Sequence, residues 1–262
     1  MCASSYVPAP RAANELQSSP PESSHLEPAS LATLIWRVLL VCRGQALLFS
    51  VVTLAVLAIQ RAVYAFFPNE VGADFVSAAF TPIIVVVVNI QTAAALRGTP
   101  LPLGQLFDLA LTRLWAVIII DLGISWLMGT AFGAIFSPSI GDAIFGALAF
   151  MLGATTLFAD VYASVEPQPN WLRTVPLAIF GSISLSWQNG NIVRVFFLAG
   201  LWALLFLASA LATQWAASKH LHDAIFLGVV PLSTLTQAPL AALFTAVYLD
   251  SLARTRPAAN SG

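Results

Sequence analysis

Asn89, Asp121 and Asp160 are the residues of this chain best placed to do chemistry, because each falls inside a long apolar run. An aspartate at the centre of a bilayer costs about 2.5–3.5 kcal/mol on insertion scales, so it is rare there unless a partner or a site holds it. Asp121 lies seven residues beyond Leu114 and Asn89 seven residues before Leu96. Both are then about 10 Å from one end of their segments. Asp160 lies nearer the same end of its own segment, with Thr156 one turn away. These depths predict a polar cluster opening toward the cytoplasm, with Arg113 or Arg194 as counter-charge. Gln237 comes from the last apolar segment, where Ser233, Thr234 and Thr236 lie between Pro231 and Pro239. Proline removes an intrahelical hydrogen bond and hydroxyls can satisfy the freed carbonyl, so this segment reads as a broken transport helix or as a kinked packing helix. The cluster itself reads as a proton or small-solute site, or as polar groups that satisfy one another.

Other candidates carry less. His220, His222 and Asp223 have no further Cys or His nearby, so no metal site is expected. Cys2 and Cys42 have neither metal-ligand nor disulfide spacing and read as free thiols. The chain has no Gly-x-Ser-x-Gly elbow, His-Glu-x-x-His pair or Gly-Lys-Ser/Thr phosphate loop. It is therefore read as non-enzymatic, with no cofactor. Gly129 and Gly133 form a small-xxx-small match, a weak signal of close helix packing.

Six apolar runs must position these residues: Ala46–Phe67, Phe75–Leu96, Leu114–Phe136, Ala143–Val165, Val195–Trp215 and Ile225–Leu249. Each reaches the roughly 20 residues a helix needs to cross hydrocarbon. Amphipathic stretches precede the first, third and fifth runs, starting near Ser30, Leu101 and Pro176. Arg43, Arg113 and Arg194 mark the junctions, 70 and 81 residues apart. The third stretch places Ser182, Ser184 and Ser186 opposite Ile183 and Leu185, breaks at Gln188–Asn191 and restarts past Arg194. Most tryptophans fall near segment ends, as in interfacial belts, whereas the deeper Trp126 is expected between helices.

Composition agrees with this reading. Of 262 residues 58% are hydrophobic and 9% charged, where soluble domains carry about 25% charge. Mean hydropathy is +0.85. A net charge of −1 excludes a broad nucleic-acid-binding face and leaves membrane lipids as the expected partner. Residues 1–28, rich in Ser, Pro and Ala, read as a disordered tail without a secretory signal pattern. Residues 29–253 form the six-helix transmembrane domain and 254–262 a short tail. With the N-terminus inside, nine basic residues face the cytoplasm and only Arg61 and Lys219 face out. That bias puts both termini in the cytoplasm.

Val165–Glu166, Ser184–Ser186, Gly190–Asn191, Arg194, Pro239, Tyr248, Asp250 and Arg254 follow one another in an order that resembles a family of bacterial six-span membrane proteins. These are grouped with YciC and with the glycerophosphoryl diester phosphodiesterase membrane domain. The resemblance departs at Asn189, where the family has a basic residue, and at Leu249, where it has a second tyrosine. It implies an all-α, six-helix inner-membrane bundle and no specific activity. Some relatives fuse a phosphodiesterase barrel of about 250 residues, for which this chain has no room. The expected function is a non-enzymatic scaffold or envelope component; the alternative is a transporter-like protein using the polar cluster.

Overall fold

The structure is a computed structural model that describes residues 28–66, 79–135, 139–166, 170–188, 190–219 and 230–255. Among these residues the secondary structure is entirely helical. We number the helices α1 (Leu31–Gly44), α2 (Ala46–Phe66), α3 (Thr81–Leu96), α4 (Leu103–Ile135), α5 (Ile140–Thr156), α6 (Ala159–Val165), α7 (Trp171–Trp187), α8 (Asn191–Ser218) and α9 (Val230–Thr255). His220, His222 and Asp223 lie outside the described residues, as do the side chains of Trp171, Pro231 and Ser233.

Helix boundaries follow local chemistry. The Ser30 hydroxyl accepts the Thr33 N–H at 3.2 Å and starts α1. Gly98, at φ 79°, ends α3 in the left-handed conformation, with the Thr99 N–H reaching the Ala94 carbonyl at 2.9 Å. Gly190, at φ 72°, separates α7 from α8, and the Asn191 amide caps the Leu185 carbonyl at 3.1 Å. Helix α8 thus begins at Asn191, one turn earlier than expected, and Arg194 sits in its first turn.

Two apolar segments differ from expectation. The amphipathic stretch after Leu101 and the third run are one uninterrupted 33-residue helix, because no breaker separates two segments of the same period. The fourth run is interrupted at Leu157–Phe158 between α5 and α6. Serines of α7 occupy that break: Ser182 accepts the Phe158 N–H at 3.1 Å and donates to the Thr155 carbonyl at 2.8 Å. Ser186 donates to the same carbonyl at 3.1 Å. Ser182 and Ser186 are therefore fully buried, while Phe180 is 70% and Trp187 59% exposed. Ser184, by contrast, is exposed and Leu185 buried, because residues two apart fall on opposite sides of a helix. The expected stripe of Ser182, Ser184 and Ser186 opposite Ile183 and Leu185 does not form, and only Ser182 and Ser186 turn inward.

Large apolar side chains line the outside elsewhere too, including Leu47, Leu54, Trp115, Ile144 and Leu204. Trp126, expected between helices, faces outward at 68% exposure. By contrast Asn89, Ser164 and Thr245 are fully buried. Polar inside and apolar outside suits a hydrocarbon solvent, where backbone and polar side chains must be satisfied internally. Four segments are long and apolar enough to cross a membrane: Ala46–Val63, Leu103–Ala134, Ile140–Val165 and Asn191–Ser209. The α3 helix has 16 residues, so the second run falls short by length in its described part. The α9 helix has 26 residues, but Thr234, Thr236, Gln237 and Asp250 dilute its apolar character.

Helices α3, α4, α5, α8 and α9 pack in sequence into a closed ring, with α6 against α3, α4 and α9. Helix α2 packs on α3 and α9, and α1 lies across one end against α9 and α3. Gly129 and Gly133 have open space where a Cβ would stand, so their small-residue match packs no helix among the described residues.

Candidate functional site

Helices α3, α4, α6, α8 and α9 surround a cavity of about 40 Å³. One water needs about 10–15 Å³ of such space, so it has room for two or three. Asn89 from α3, Asp121 and Ser125 from α4, Asp160 from α6 and Gln237 from α9 supply its polar lining. Ile124, Leu157, Trp202 and Phe244 are among its apolar walls. The structure thus brings together Asn89, Asp121, Asp160 and Gln237, which lie far apart in sequence. Ser125 and Trp202 were not expected there. Ser125 is one turn beyond Asp121 on the same helix, and that spacing is the signal that would have found it.

Arg113 and Arg194, expected as counter-charges, do not line the cavity. The Arg113 guanidinium donates to the Ser164 carbonyl and feels the charge of Glu166. Arg194 pairs with Asp250. Both arginines serve backbone or carboxylate groups nearer the end of the bundle where Arg97, Glu166 and Arg254 also gather. One oxygen of Asp160, Oδ1, is buried and accepts no hydrogen bond. Thr156, one expected turn from Asp160, lies across the α5–α6 break and donates instead to Leu152 and Gly153 carbonyls at 3.0 Å.

A hydrogen-bonded layer closes the cavity toward the arginine end. The Asn89 amide donates to Ser164 Oγ at 3.2 Å, and the Thr245 hydroxyl donates to Asn89 Oδ1 at 2.9 Å. The Ser164 hydroxyl in turn donates to the Asp160 carbonyl at 2.6 Å. Three helices are stitched together at one level. Just beyond, the Tyr248 hydroxyl donates to Glu166 at 3.4 Å. On the other side of the cavity, Gln60 donates to Thr81 at 3.5 Å and accepts from Thr234 at 3.3 Å. The Thr234 hydroxyl therefore bonds across to α2.

At the arginine end a second polar cluster gathers around Asp250. Asp250 accepts the Ala29 N–H at 2.6 Å, the Arg254 Nε–H at 2.7 Å and the Arg194 guanidinium. The Ala29 carbonyl accepts from Arg194 at 3.1 Å and from Arg254 at 2.7 Å. Burial raises the Asp250 carboxyl, but the bonds from Arg254, Ala29 and Arg194 outweigh it and hold the group below the usual carboxylate range. The cluster clamps the start of α1 to α8 and α9.

Among the described residues no three His, Cys, Asp or Glu side chains group as metal ligands. No protein-family model matches this chain, and no match is found among curated proteins or solved structures.

Proposed function

We propose that this chain is a six-span integral protein of the bacterial inner membrane with both termini cytoplasmic, and that it is transporter-like, with the central cavity as its polar site. The carrying observation is that Asn89, Asp121, Asp160 and Gln237 line one cavity with room for water. Polar groups gathered only to satisfy one another would be hydrogen-bonded, whereas Asp160 Oδ1 is buried without a partner. Helix α9, at 26 residues, is about 39 Å long and would serve as the sixth crossing. In this reading α3 is the helical part of the second.

The kinship to the YciC and diesterase-membrane-domain grouping stays part of this proposal. Its support is that Glu166 meets Tyr248 while Arg194 and Arg254 meet Asp250, so several residues that carry the resemblance are neighbours in space. No catalytic role follows from them.

The experiment is flux of protons and small solutes into vesicles holding the full chain, comparing wild type with Asp121→Asn and Asp160→Asn. Transport lost in either variant is expected. A wild type that moves nothing would leave the scaffold reading, in which the outward apolar faces of α2, α5 and α8 contact lipid or another membrane protein.

A further inference from the structure

Resting on the reading of the cavity as a transport site, we infer that its ligand is a single small cation, a proton or a sodium ion, held by Asp121 and Asp160 with help from Ser125 and Gln237. Three observations converge on this chemistry. The lining has two carboxyl groups and no basic side chain. Asp160 Oδ1 is buried within the bundle without a hydrogen-bond donor. The volume, about 40 Å³, fits one ion or a few waters and excludes an organic solute.

Charge balance selects the sign. Two carboxyl groups in one water-sized space need positive charge between them, and the arginines are committed elsewhere. Each element packed on Asp160 can be inspected for its charged groups. From α4, Asp121 faces it, while Arg113 is turned to the Ser164 carbonyl. From α3 the facing group is the neutral Asn89. From α9 come the neutral Gln237, with Tyr248 bonded to Glu166 and Asp250 held by two arginines. On the α7 face that touches the α5–α6 break the polar groups are the hydroxyls of Ser182 and Ser186. The facing groups are thus acidic or neutral, a lining suited to a cation. Oxygen ligands, with no sulfur or imidazole, suit a proton or a hard ion.

Asn89 is set apart from this ligand set, because both ends of its amide are engaged by Ser164 and Thr245. It forms the floor.

The test uses the purified full chain in detergent micelles. In the sodium arm, thermal unfolding is followed in sodium chloride against choline chloride at equal ionic strength. A rise in Tm of about 5 °C, absent from Asp160→Asn and Asp121→Asn, assigns sodium. In the proton arm, infrared difference spectra between pH 5 and pH 8 are recorded without sodium. A protonated-carboxyl band that disappears in either variant, with no sodium-dependent shift, assigns the proton. Neither signal in the wild type overturns the inference, even if vesicles carry a neutral solute. Either signal without vesicle flux leaves the cation site standing and removes the transport reading.

Discussion

Asp250 and Ala29, separated by 221 positions in the chain, are joined by a 2.6 Å hydrogen bond from backbone N–H to carboxylate. The same carboxylate collects Arg194 and Arg254, whose guanidinium groups also hold the Ala29 carbonyl. Residue 29 immediately precedes Ser30, which caps the first helix, so a single acidic group fixes how α1 lies across the bundle. Its side chain is 3% exposed, against 20% and 29% for its two arginines. Removing it strands two partly buried cations and one backbone donor.

Asp250→Ala is therefore expected to lower stability by about 2–3 kcal/mol, read as a shift in the thermal unfolding midpoint in micelles. Arg194→Gln alone should cost less, because Arg254 still reaches both Asp250 and Ala29. Equal losses in the two variants would show that the clamp is not centred on the carboxylate.

The clamp also fixes a pH dependence. A carboxyl held below its ordinary value in the folded state stabilises the fold fully above its unfolded pKa, about 3.9, and loses that contribution as pH falls through the lower folded value. Neutral solution lies on the plateau. The wild type should lose stability below about pH 4 more steeply than Asp250→Asn. Parallel pH profiles would contradict the assignment.

Ser182 tests the break between α5 and α6. Ser182→Ala leaves the Phe158 N–H without its acceptor, while Thr155 keeps Ser186 as donor. A loss of about 1–2 kcal/mol is expected, with a larger loss when Ser186 is also changed to alanine. Gly181 supports the same contact, since a Cβ there would stand 3.0 Å from the Tyr162 ring. Gly181→Ala should destabilise, and Gly129→Ala, facing open space, should not.

Cys42 offers a chemical check on the placement of α1. It is partly buried against the core, and that burial pushes its thiol up from the ordinary value. Less thiolate then exists at neutral pH, so in a Cys2→Ser background maleimide should modify Cys42 more slowly than glutathione at pH 7.5. Reaction as fast as glutathione would mean that α1 leaves its thiol in water.

Much of this fold was legible because twenty-residue apolar runs are a matter of composition, and Asn89, Asp121 and Asp160 were conspicuous as polar residues inside them. Other features were written in long-range contacts. Nothing in Thr155-Thr156-Leu157-Phe158 signals a helix break, because the hydroxyls that stabilise it come from residues 182 and 186. The i,i+4 pair of Asp250 and Arg254 could be read from spacing, but Arg194 joins from 56 residues away. Ser182, Ser184 and Ser186 read as one face in sequence, but at about 3.6 residues per turn Ser184 falls on the far side from the other two, and only Ser182 and Ser186 turn inward.

The central claim is that a water-filled polar cavity lies inside an apolar bundle, and a cysteine at Ser125 tests it most directly. Ser125 lines the cavity, whereas Leu148 on α5 is 60% exposed on the apolar exterior. In full-length protein reconstituted in vesicles and lacking Cys2 and Cys42, the thiol-binding silver ion, small enough for the cavity, should protect Ser125→Cys from alkylation after denaturation and leave Leu148→Cys unprotected. Protection of Leu148→Cys with Ser125→Cys unprotected would contradict the account.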